Sequence, residues 1–91
     1  MDDEHSLDDA EHSAEVRAAL LRAVETQVRD GDPPETAQTL ERLMGEGYPR
    51  DEAVRLIGFV LADELFQIMK QEREYDHERF VRLLTRLPET P

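Results

Sequence analysis

The chain contains no cysteine, so neither a disulfide framework nor a thiolate zinc site is available to it, and its stability must come from packing. Long hydrophobic runs are also missing. The longest apolar stretch, Leu56 to Ala62, is seven residues, whereas a membrane span needs about 20. The start, Met1-Asp2-Asp3-Glu4, is acidic rather than basic, the reverse of a secretory signal. No stretch alternates apolar and polar residues with a period of two, which removes the main signal for strands. Together these absences predict a soluble, cytoplasmic, all-α protein. At 91 residues it is long enough for one small core and too short for two.

Basic residues are scarce as well. Twenty-two acids face eleven bases, giving a formal charge of −11, and seven of the acids lie within residues 1 to 15, before any Arg or Lys. The remainder carries fifteen acids against eleven bases, an ordinary solvated surface for a small domain. Phosphate backbones and anionic lipids repel such a chain, so direct binding to nucleic acid or to a membrane is not expected. Residues 1 to 10, MDDEHSLDDA, combine like charges with little apolar content and read as an acidic, disordered tail. Residues 11 to 88 are then a single helical-bundle domain.

Within that domain the apolar residues recur at helical steps. Val16, Leu20, Ala23, Val24 and Val28 mark a first helix from about Asp9 or Ser13 to Asp30, ended by RDGDPPE. Gly31 suits the left-handed residue after its last turn, Asp32 an N-cap, Pro33 the first helical position, and Glu35 the far side of a capping box. Ala37, Leu40, Leu43 and Met44 form a second stripe, closed by GEGYP. The third helix, about Pro49 to Lys70, is apolar around its whole circumference from Leu56 to Ala62, which predicts a central strut enclosed by its neighbours. Asp76 caps a short fourth helix bearing Phe80, Val81, Leu83, Leu84 and Leu87, with Tyr75 and Phe80 spaced for a hydrophobic staple. The expected architecture is a compact bundle of four helices around a hydrophobic third helix.

Candidates for chemistry are few. His5 and His12 are two helical turns apart, too far to share a metal ion, and Asp8 with His12 makes a two-ligand site at best. His77 has no second histidine near it. Asp51 and Arg55 fit an i,i+4 surface ion pair. Asp63 and Glu64 follow directly on the apolar run; one is expected in an interhelical salt bridge, with Arg17, Arg22 or another arginine, and the other in water. Gly58, costly in mid-helix, suggests close approach by a neighbouring helix backbone. No nucleophile with an activating partner is evident and GEGYP lacks the lysine of a phosphate loop, so no catalytic or cofactor-binding residue is assigned. The helix pair joined by GEGYPRDEA is a poor helix-turn-helix, because its reading helix would begin Asp51-Glu52 and then turn hydrophobic.

The segments AVETQVRDGDPPE, EAVRLIGFVLADELF and YDHERFVRLL, spanning about residues 16 to 87, resemble a family of small bacterial all-helical proteins that brings no established activity with it. Members often carry an H-x-x-x-H pair ahead of the V-E-x-Q segment and an H-E-A-x-H pair at the start of the third helix. The matching positions here are Arg17, Leu21, Asp51 and Arg55, none of them histidine. Glu52 and Ala53 keep the middle of the second motif, and Ile57, Gly58, Leu61, Ala62, Glu64 and Leu65 keep the pattern after it. The resemblance implies the helical fold.

The leading expectation is a non-enzymatic module for protein–protein association or self-association, most simply a twofold homodimer. It rests on an apolar inventory in the last two helices larger than one small bundle needs, with Phe59, Phe66, Met69, Phe80 and Leu84 as interface candidates. One alternative is a carboxylate metal site drawn from Glu25, Glu52 and Glu64. Another is an acidic imitation of nucleic acid, although most of the excess charge lies in the tail.

Overall fold

The computed structural model describes the backbone from Asp2 to Pro91 and the side chains from Ser13 onward. Four helices follow one another: α1, Asp2–Asp30; α2, Pro34–Gly45; α3, Arg50–Gln71; and α4, His77–Arg86. No strand occurs among the described residues, so the all-α bundle expected from the periodicity is the fold. α1 begins earlier than the expected Asp9 or Ser13, and no proline or glycine interrupts residues 2 to 30. His5, Asp8 and His12 lie outside the residues whose side chains are described, and the backbone of the acidic segment, expected as a disordered tail over residues 1 to 10, is part of α1 from Asp2.

The first two joints are closed by the same device. At the end of α1, Gly31 sits at φ 65°, and the amides of Gly31 and Asp32 donate to the carbonyls of Val28 and Gln27. At the end of α2, Gly47 at φ 104° is followed by Tyr48, and their amides donate to Met44 and Leu43. Both are Schellman turns, in which a residue without Cβ lets the chain reverse while the last carbonyls stay bonded. The start of α2 differs from the expectation by one residue. Pro33, extended at ψ 150°, holds the N-cap position, Pro34 is the first helical residue, and no side chain caps the helix. Each proline holds the residue before it out of the helical region, so the second of the pair sets the earliest start.

The core draws on every helix: Val24 from α1, Leu40 and Leu43 from α2, Ala53, Val54, Ile57 and Val60 from α3, and Phe80, Leu84 and Leu87 from α4 and its exit. Buried polar groups tie these elements together. Thr36, fully buried, donates to Gln27 Oε1 at 2.8 Å and joins α2 to α1. Arg42 donates from Nη2 to the carbonyls of Leu84 and Leu87, both at 3.0 Å, and so fastens α2 to the end of α4. Asp76 caps α4 as expected, its Oδ1 accepting from the Arg79 amide at 3.0 Å. Tyr75 and Phe80 meet with ring centroids 5.9 Å apart, the predicted staple.

Three expectations are corrected here. Phe80 and Leu84 are each only 1% exposed and belong to the core, not to an interface; α4 has a single apolar stripe and turns it inward. α3 is not enclosed all round, because Phe59 is 57% exposed while Ile57, Gly58 and Val60 beside it are buried. Among the described residues three other helices surround it, and α2 and α4 have 12 and 10 residues, too short to wrap a 22-residue strut. Gly58 meets no neighbouring backbone: a Cβ placed there would find the Leu21 side chain first, at 3.7 Å. Among the described residues no helix is long and apolar enough to cross a membrane.

Candidate interaction surface

The charged groups of α3 are arranged around arginines. Glu64, 1% exposed, lies at the core edge of the helix's second half. Arg73 grips it from two nitrogens, each 2.9 Å from a carboxylate oxygen; Arg79 adds a bond of 2.8 Å and the Asp76 amide one of 3.0 Å. Four donors outweigh desolvation, and the carboxyl is held down to about 2, chiefly by the bonds from Arg73. Asp63 pairs with the other side of Arg79 at 2.6 Å. Both acids of the Asp63-Glu64 pair are therefore in salt bridges, a correction to the expectation that one would face water. Their partners come from the α3–α4 connection and α4, not from Arg17 or Arg22. Arg73 reaches Glu64 because Glu72 takes the left-handed conformation at φ 49° and turns the chain back on α3.

The other carboxylates considered for a metal site are placed apart. Glu25 on α1 accepts two bonds from Arg50 at the start of α3, at 2.7 and 2.8 Å, and these hold its carboxyl below the ordinary range. Glu52 is exposed on α3. No group of three or more histidine, aspartate or glutamate side chains is positioned to hold an ion among the described residues. Asp51 and Arg55 form the predicted surface pair, loosely, at 3.7 Å. His77 is half exposed at the start of α4, with Nδ1 2.9 Å from the Tyr75 hydroxyl and Nε2 3.4 Å from Glu35 on α2. Burial is the first cause that raises the Tyr75 hydroxyl above its ordinary pKa, followed by nearby carboxylates, so this phenol is not activated.

Arg17 and Leu21 on α1 and Arg55 on α3 line one groove of about 970 Å³, while Leu21, Asp51 and Arg55 line a smaller one of about 470 Å³ beside it. The floor and walls of the larger groove are mainly apolar, formed by Val16, Leu20, Leu21, Gly58, Phe59 and Ala62, with Arg17 and Arg55 as its charged members. Gly58 deepens it, and that is the structural consequence of the missing side chain.

From this groove an apolar ridge continues along α3. Phe59, Ala62, Phe66 and Met69 follow at steps of three and four and so share one side of the helix. Phe59 is 57%, Phe66 58% and Met69 78% exposed. Leu65, also exposed, flanks them, and Lys70 places its ammonium 5.7 Å from the Phe66 ring centroid. α3 therefore has two apolar sides, one built into the core around Ile57 and Val60 and one open to solvent. Three of the five interface candidates, Phe59, Phe66 and Met69, stand on the open side. Val16 and Leu20, which complete that surface from α1, were not among them, because the steps that place them in the groove are also those of a core stripe.

Compared with protein-family models, with curated proteins and with solved structures, the chain finds no match in any of the three.

Proposed function

We propose that the protein acts by binding protein, without catalysis, through the open side of α3 and the neighbouring groove against α1. The observation that carries this reading is the exposure of Phe59, Phe66 and Met69 in one line on a helix whose opposite side is core. Single exposed apolar residues are common on protein surfaces, whereas a contiguous aromatic face beside a groove is the composition of the buried centre of an interface. The acidic balance of the chain supports a protein partner over nucleic acid or an anionic membrane. The absence of cysteine supports a reducing, cytoplasmic setting. The resemblance to small bacterial helical proteins agrees with this reading and adds no activity to it.

The doubly substituted chain Phe59→Ser, Phe66→Ser tests the reading. Native mass is compared in extracts of cells producing this variant or the unaltered protein. The unaltered chain should run in an assembly larger than one copy, and the variant, with its circular dichroism unchanged, at monomer mass. An unaltered chain at monomer mass, or a folded variant that keeps the assembly, contradicts the proposal.

A further inference from the structure

Resting on that reading, we infer that the occupant of this face is a second copy of the chain, with its α3 antiparallel to the first and the ridge of each filling the groove of the other. A twofold interface must be complementary to itself: if one residue meets another across it, the second meets the first. This face meets that requirement, because it carries a concave half, lined by Val16, Leu20, Gly58 and Phe59, beside a convex half, Phe66 and Met69.

The register follows from the spacing. An antiparallel pairing centred on Glu64 sets Phe59 opposite Met69 of the other copy and Ala62 opposite Phe66, so Phe66 meets a small residue and Met69 the rim of the groove. The area suffices. A phenylalanine more than half exposed offers on the order of 100 Å², and with Met69, Leu65 and Val16 the apolar face comes to roughly 500 Å² per copy. Closing two such faces with their polar rims reaches the range of about 1,200 Å² at which stable interfaces begin.

Sedimentation equilibrium of the purified chain tests the inference, with circular dichroism to confirm that each variant is folded. The unaltered chain is expected to be a dimer and Phe66→Glu a monomer. Val16→Glu, on the groove side of the face, should also be monomeric. A chain that stays monomeric at every concentration overturns the second copy as occupant; if extracts still show a larger assembly lost on Phe59→Ser, Phe66→Ser, the broader reading stands with another protein in that place. A dimer that survives Val16→Glu overturns the reciprocal antiparallel fit.

Discussion

Arg73 holds Glu64 through two parallel bonds of 2.9 Å, although a helix end and a left-handed turn separate the two in the chain. The pair fastens the far end of α3 to the start of α4, since Arg79 and the Asp76 amide reach the same carboxylate. Glu64 is a structural anion, saturated with donors. Replacing it by alanine leaves Arg73 and Arg79 facing a cavity at the core edge, each about three-quarters shielded from water. Removal of one partner from a buried charged network is costly, and Glu64→Ala should lower unfolding stability by about 2 to 4 kcal/mol. Urea denaturation measures it.

The same carboxylate makes stability depend on acidity with a definite sign. Its folded value, about 2, lies below its ordinary value of 4.5. A depressed carboxyl contributes stability that is complete above the ordinary value and is lost as pH falls toward the folded one. Glu25, lowered by Arg50, contributes in the same direction. The midpoint of thermal unfolding should therefore fall between about pH 4.5 and 2, and Glu64→Gln should flatten that fall while lowering the midpoint at neutral pH.

Gly58 offers a test of local geometry. A methyl group there would sit 3.7 Å from the Leu21 side chain, ordinary van der Waals contact. With no clash to offset it, the helix propensity of alanine should show in full, and Gly58→Ala should stabilise the protein by about 0.5 to 1 kcal/mol in chemical denaturation.

The two sides of α3 and α4 should respond to truncation very differently. Phe80→Ala opens a cavity in the core and should cost about 3 to 5 kcal/mol. Phe59→Ser, made in protein dilute enough to be unassociated, should change stability by no more than about 0.5 kcal/mol, the range of surface substitutions.

Much of this arrangement is legible in the residues, and what is not has physical reasons. Gly31, the cap at Asp76 and the stripes of α2 and α4 act over a few residues, so local pattern suffices to place them. The enclosure of α3 does not follow from its own composition. A helix that is apolar all round can be covered or left open according to the length of its neighbours, and here α2 and α4 are too short to cover it. The assignment of Phe80 and Leu84 to an interface fails for the matching reason: composition shows an apolar surplus without showing which helix carries it. The partners of Glu64 were hidden because the chain reverses at Glu72, a glutamate in a conformation that usually calls for glycine.

The measurement that bears most directly on the account is site-specific photo-crosslinking in cells, with the reactive group at position 59 or 66 on the open side of α3, or at Glu41 on α2 or Arg82 on α4 as exposed controls. Positions 59 and 66 should yield a discrete crosslinked protein species and positions 41 and 82 none. Silence at 59 and 66, or equal yields from all four, would show that this apolar side of α3 binds nothing and that the account of its function is wrong.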